Sequence, residues 1–229
     1  MPNSQHLSIK VSSKPSETAR AEIVRADYDY RTPTITEEFT GDIIMPDDWH
    51  IGMIVGASGT GKSTIIKTLY PDKALTQYAH GASVIDDMPE GVPVKEITKL
   101  FSKLGFSSVP SWLKPYSVLS MGERMRVDLA HAILTQSDPI IFDEFTSVVD
   151  RTVAENLCIA LGKYLRESGR QFIAVGCHYD VLEWLQPDWA YDTSTSGMIL
   201  PKTAARVNEH SKLEDAGTTN GTSLPDIII

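Results

Sequence analysis

The sequence predicts an α/β protein built on a mainly parallel sheet, and three observations predict it. Two apolar runs, Ile51 to Val55 and Pro139 to Phe142, read as strands buried on both faces, with longer amphipathic stretches between them. A glycine-rich segment follows the first run at once and leads into the helix-like stretch Ser63 to Tyr70, which makes a strand, loop and helix unit. The second run ends in two carboxylates, Asp143 and Glu144, at the strand edge where ligand sites form in open α/β sheets.

The glycine-rich segment carries its chemistry in its spacing. Gly56, Ala57, Ser58, Gly59, Thr60, Gly61, Lys62 and Ser63 satisfy G-x-x-x-x-G-K-[ST], and Thr64 continues into the helix. Glycines allow backbone N–H groups to curl around a phosphate while the helix N-terminus faces the same anion. Lys62 is spaced to reach β- and γ-phosphates, and the Ser63 hydroxyl to hold Mg²⁺. The segment therefore predicts a nucleoside triphosphate as ligand. In the second strand, Asp143 suits the Mg²⁺ shell and Glu144 suits a general base acting on water. A simple acidic helix cap gives the same pair of carboxylates; the phosphate loop upstream favours the metal reading.

Three further segments follow in order. Leu119, Ser120, Met121, Gly122 and Glu123 open an amphipathic helix with apolar positions at Met125, Leu129, Ile133 and Leu134. Ser120 as N-cap and Glu123 three residues on also fit a capping box. Ser147 to Asp150 come directly after the carboxylates, and the strand-like Gln171 to Cys177 ends beside His178. In order and spacing, these segments resemble the ATP-binding cassette (ABC) ATPase family: phosphate loop, signature, Asp-Glu strand, D-loop and switch histidine. The resemblance covers about residues 20–200, and is nearest to compact stand-alone ABC ATPases of bacteriophages and bacteria.

The resemblance implies a P-loop NTPase of ABC type, with a small N-terminal antiparallel β-subdomain. It also implies a helical subdomain, shortened here because only residues 64–118 separate the phosphate loop from the signature. ATP and Mg²⁺ are its implied cofactors, and ATP hydrolysis its implied activity. The family's assembly is a head-to-tail homodimer, in which the signature (Leu119 to Glu123) of one subunit meets ATP held by the other. Asp150 would then supply the D-loop acid, and His178 would steady the water beside Glu144. An aromatic residue upstream of the loop would stack on adenine, with Tyr30 favoured over Tyr28. The chain departs from the family in having Met121 for glycine and Glu123 for glutamine. It also has no glutamine at the end of a strand where the family's Q-loop belongs. Gly81 to Asp87 is the nearest counterpart, which would put Asp87 or Asp86 near Mg²⁺; Gln77 is a weaker candidate.

Composition sets further bounds. A formal net charge of −9 over 229 residues argues against broad nucleic-acid binding, which needs clustered Lys and Arg. No apolar run approaches the roughly 20 residues that span a bilayer. Cys158 and Cys177 lack metal-ligand spacing and read as buried thiols in a reducing cytoplasm. Residues 1–18 are expected to be a mobile N-terminus, 19–200 the ATPase domain, and 201–229 a polar, disordered tail. Residues 20–55 read as short strands and turns, with Ile23 to Tyr30 extended, and Lys95 to Leu104 as an amphipathic helix. The expected setting is the cytoplasm of a bacterial or phage-infected cell. The expected work is ATP-driven action on a protein or nucleic-acid partner in DNA modification or maintenance, for which a GNAT-like DNA-modifying enzyme is a lead. The alternative is the ATP-binding subunit of a membrane transporter whose permease is a separate chain.

Overall fold

The computed structural model describes residues 3–14, 16–30, 35–73, 78 and 80–199. Its sheet has five strands in the order β4-β5-β3-β6-β7. These are β3 (Ile51–Val55), β4 (Ile140–Phe142), β5 (Phe172–Gly176), β6 (Trp189–Asp192) and β7 (Gly197–Ile199). The pairs β4/β5, β5/β3 and β3/β6 are parallel, and β7 runs antiparallel to β6 at one edge. A separate two-stranded antiparallel sheet joins β1 (Asn3–Ser13) to β2 (Ile35–Met45). The expected α/β class, mainly parallel sheet and small antiparallel β-subdomain are all present.

Side chains alternate across the main sheet and fill two cores. Ile51, Met53 and Val55 of β3, with Phe172 and Ala174 of β5, face α3 (Val94–Lys103), α5 (Met121–Thr135) and α6 (Arg151–Ser168). Ile54, Ile173, Val175, Trp189 and Tyr191 face the other way, onto α2 (Lys62–Leu69) and the β1/β2 sheet. All five β3 residues are buried, which is why this run shows no polar alternation in the sequence. Gly52 leaves space for Trp189: a Cβ there would lie 2.2 Å from the indole ring.

Between α2 and α5 lie only α3, the short α4 (Val109–Trp112) and a 3-10 turn at Tyr116–Val118, so the helical part is small among the described residues. Trp112 is a packing anchor, its Nε1–H donating to the Phe106 carbonyl at 3.0 Å. Lys103 at the end of α3 is tied to Glu167 of α6 at 3.0 Å. The free edge of β4 is closed by a side chain. Gln136 Oε1 accepts from Ile141 N–H at 2.9 Å, and its Nε2 donates to the Ile141 carbonyl at 3.2 Å.

Three local expectations differ from the structure. Residues 3–13, read as part of a mobile terminus, form β1, because Leu7 and Ile9 find a buried face against the second core. Ile23 to Tyr30, read as extended, lies largely in helix α1 (Ala19–Asp27), started by Thr18 as N-cap. Its β-branched pair and tyrosines misled the strand reading. Gly81 to Asp87 is a run of turns and not a strand. The tail from 201 onward and Gln77 lie outside the described residues. Cys158 is buried, and burial pushes its thiol up to about 12, whereas Cys177 is only half-buried; both are free.

Gly52→Ala forces a methyl into the Trp189 ring and should destabilise the fold by about 1–3 kcal/mol. Denaturant unfolding checks this: a shift of the midpoint without a change of slope is expected.

Candidate active site

Four loops leave the C-terminal edge of the parallel strands, and the strand order sets them side by side. After β3 the chain turns through Gly59 and Gly61, whose φ values of +83° and +81° lie in the left-handed region. Gly61 is the N-cap of α2, and the Phe39 ring packs onto it so closely that a Cβ there would lie 2.7 Å away. Around Gly59 a Cβ would meet nothing within 4 Å, so this side of the loop is open. Lys62 is buried, and its Nζ donates to the carbonyls of Gly56 at 2.9 Å and Ala57 at 2.7 Å. The ammonium therefore sits within the curve of the loop. Thr60 Oγ1 donates to the Ala57 carbonyl and lies 2.5 Å from Thr193 Oγ1, in the loop after β6.

The carboxylates after β4 meet this loop. Ser63 Oγ donates to Asp143 Oδ2 at 2.7 Å across 80 positions of sequence, and the Glu144 N–H donates to Asp143 Oδ1 at 2.9 Å. A hydroxyl and a carboxylate set together are hard oxygen donors of the kind Mg²⁺ takes. Glu144 is exposed and holds a φ of +52°, and Thr146, at +64°, is buried. Such backbone is sparsely populated for these residues and is held by its surroundings. Ser147 donates to the Glu144 carbonyl through both N–H (3.1 Å) and Oγ (2.8 Å), and Phe145 N–H donates to Val175 of β5 at 2.8 Å. The turn is pinned from below, which leaves the Glu144 side chain pointing outward.

Ser120 caps α5 through a capping box. Its Oγ accepts from Glu123 N–H, and Glu123 Oε2 accepts from Ser120 N–H at 2.9 Å. Glu123 Oε1 also accepts from Ser111 Oγ at 2.8 Å. The Ser120 N–H holds the Glu123 carboxyl below the usual carboxylate range. Glu123 thus fixes the turn, while Leu119 anchors it in the core and Ser120 and Met121 remain exposed. Gly122 packs beside Val153 of α6, where a Cβ would come within 3.0 Å of Val153 Cγ1. Asp150 caps α6, accepting from Thr152 N–H at 2.9 Å. His178 is half-buried in the loop after β5, which runs between β3 and β4. That loop is tied to α6 by an ion pair from Arg151 to Asp180, with the Arg151 guanidinium 4.9 Å above the Trp184 ring.

Other expected site residues are placed differently. Asp87 is buried and accepts from Gly81 N–H, with His80 Nδ1 at 3.2 Å, and Asp86 accepts from Ser83 Oγ. Both acids are used inside their own loop. A cavity of about 450 Å³ beside Asp143 and Glu144 is lined instead by Tyr78, Tyr116 and Asp128, which sequence reading missed. Tyr30 lies past the end of α1 and is 44% exposed; the aromatic ring against the phosphate loop is Phe39. Phe39 is the one aromatic residue between Tyr30 and Trp49, a signal that was available in the sequence.

No protein-family profile matches the chain. YdiF of Bacillus subtilis, a protein named for ATP binding, is 29% identical over 170 residues, 63% of this chain and 26% of YdiF. The ribosome protection protein VmlR of the same organism is 28% identical over 133 residues, 48% of this chain and 24% of VmlR. The chain thus spans about a quarter of the length of these relatives. Among solved structures, cbiO1 of Clostridium perfringens, part of the ABC transporter complex cbiONQ, has a TM-score of 0.56 at 19% identity. That match covers 77% of this chain and 87% of cbiO1. The dimeric ATP-binding cassette MJ0796, in a post-hydrolysis state with ADP and Pi, has a TM-score of 0.57 at 14% identity, over 83% of this chain and 94% of MJ0796. In fold the chain is similar to these ATP-binding cassettes, and in sequence it is similar to proteins such as YdiF that are named for ATP binding.

Proposed function

We propose that this protein binds Mg-ATP and hydrolyses it as a head-to-tail dimer. The observation that carries this reading is the Ser63–Asp143 hydrogen bond, which joins the phosphate loop to the β4 carboxylates in one site. Lys62 and the backbone N–H groups of residues 57–63 bind the phosphates, and Ser63 with Asp143 would hold Mg²⁺. When bound, Mg²⁺ neutralises charge on the β- and γ-phosphate oxygens. Glu144, exposed on its pinned turn, orients a water and accepts its proton at a carboxylate oxygen. His178 steadies that water from the neighbouring loop. The exposed Ser120 and the N–H of Gly122, at the start of α5, offer an anion site to the partner's nucleotide. Dimeric MJ0796 supports the assembly. Phe39, placed on Gly61, takes the adenine contact in preference to Tyr30.

The work done with ATP is proposed to be action on a protein or nucleic-acid partner, and the likeness to VmlR supports a role of this kind. The likeness to cbiO1 favours a second reading, the ATP-binding subunit of a membrane transporter. A pull-down with Glu144→Gln protein in Mg-ATP separates the two: a polytopic membrane protein supports the second, and nucleic acid or a non-membrane protein the first.

Lys62→Ala should weaken ATP binding by about 100-fold, as expected for losing a charged partner to phosphate; titration with a fluorescent nucleotide measures it. Glu144→Gln should keep binding, lower kcat by about 10²–10⁴-fold and trap a dimer in Mg-ATP. A monomer by light scattering at saturating nucleotide would sink the sandwich mechanism. Phe39→Ala should raise KM for ATP by about 2- to 10-fold, the range of an aromatic contact, while Tyr30→Ala leaves it unchanged.

A further inference from the structure

A cluster of rings and one carboxylate lies on the far wall of the cavity beside Asp143 and Glu144. Asp128 of α5 accepts one hydroxyl on each oxygen: Tyr78 on Oδ1 at 2.9 Å and Tyr116 on Oδ2 at 2.7 Å. The tyrosines are themselves stacked. Tyr78 lies on the buried His131 at 3.7 Å and 6°, and His80 lies on Tyr116 at 3.9 Å and 9°. Arg124 stands over the outer side of this stack, 5.4 Å from the Tyr116 ring. His80 is held in turn by the buried Asp87.

This arrangement ties together three pieces of chain that the sequence separates. Tyr78 belongs to the segment that follows α2, the helix of the phosphate loop. Tyr116 is in the 3-10 turn directly before Ser120, and Asp128 is two turns into α5. An apolar cluster would pack these pieces with less directional demand, whereas a carboxylate shared by two hydroxyls fixes distance and angle. Burial, then the Asp128 carboxylate, push both tyrosine hydroxyls above their ordinary range, so both stay donors. Burial also raises the Asp128 carboxyl, and the two hydroxyls oppose that rise.

We propose that Tyr78, Asp128 and Tyr116 form a positioning network that sets the Ser120–Gly122 turn against the Asp143 and Glu144 carboxylates of the same subunit. The proposal rests on the dimeric ATPase reading above. In that dimer, Ser120 and Gly122 face the partner's nucleotide while Asp143 and Glu144 face their own. The network therefore holds the surface that one subunit offers to the other at a fixed place across the cavity from its own carboxylates. None of its three residues needs to touch ATP.

The test uses Tyr78→Phe and Tyr116→Phe, singly and together, which remove a hydroxyl and keep each ring in its stack. In the Glu144→Gln background, monomer affinity for a fluorescent ATP analogue should stay within about twofold, since no phosphate contact is lost. The Mg-ATP-driven dimer, read by analytical ultracentrifugation, should dissociate about tenfold more readily, the scale of one charged hydrogen bond. With Glu144 intact, kcat should fall about tenfold at unchanged KM, and the double variant should match one single variant if the network acts as a unit. Near-UV circular dichroism checks the fold of each variant. Unchanged kcat and dimerisation in folded variants, or a loss confined to KM, overturns the network. If the Glu144→Gln parent itself stays monomeric in Mg-ATP, the ATPase dimer reading fails first and the network with it. A dimeric parent with equally dimeric variants defeats the network alone.

Discussion

The need to bury both faces of β3 governs this molecule. A strand reading Ile51, Gly52, Met53, Ile54, Val55 has no polar face to give to water, so it can exist only in the middle of a covered sheet. Parallel neighbours on either side, β5 and β6, then fix where the chain re-emerges. The phosphate loop, the Asp143–Glu144 turn, the His178 loop and the Thr193 loop all leave at one edge because the four strands run the same way. The site is a consequence of strand direction, and side-chain chemistry is added to it afterwards. The two cores divide the supporting task. One holds α3, α5 and α6, the last two capped by Ser120 and Asp150; the other holds α2 and the small sheet that brings Phe39 to Gly61.

Strain and satisfaction are distributed unevenly within the site. Lys62, Ser63, Asp143 and Glu123 each have directional partners, so their positions are set before any ligand arrives. Glu144 is the exception, with backbone in the left-handed region and an exposed carboxylate. A buried Phe145 and a doubly bonded carbonyl hold that unfavourable turn in place. Groups with fixed polar partners thus surround one exposed carboxylate on left-handed backbone.

The sequence made the core of this site legible and hid its margins. Gly56 to Ser63, Asp143 and Glu144 could be read because strand, loop and helix impose a strict spacing on them. Ser120 and Glu123 could be read both as a signature and as a capping box, and the geometry shows the box. Asp86 and Asp87 were misjudged because two acids after an apolar Val84–Ile85 pair look like the end of a strand. Here that pair turns inward, and the acids bond within their own loop. The sequence points to Tyr30 and Tyr28 and passes over Phe39, since nothing local reveals that α1 interrupts the hairpin between β1 and β2. The meeting of Tyr78, Tyr116 and Asp128 could not be seen, because it depends on how a loop folds over α5.

The Gln136 carboxamide has a consequence for assembly. By pairing with both free polar groups of Ile141, it acts as a one-residue substitute for a neighbouring strand and closes the outer margin of β4. The opposite margin is bounded by the antiparallel β7. A sheet with its β4 side closed in this way offers no template there for a stray peptide or a second copy to extend it. Any chain that would add to the sheet there must first displace the Gln136 carboxamide from the Ile141 backbone.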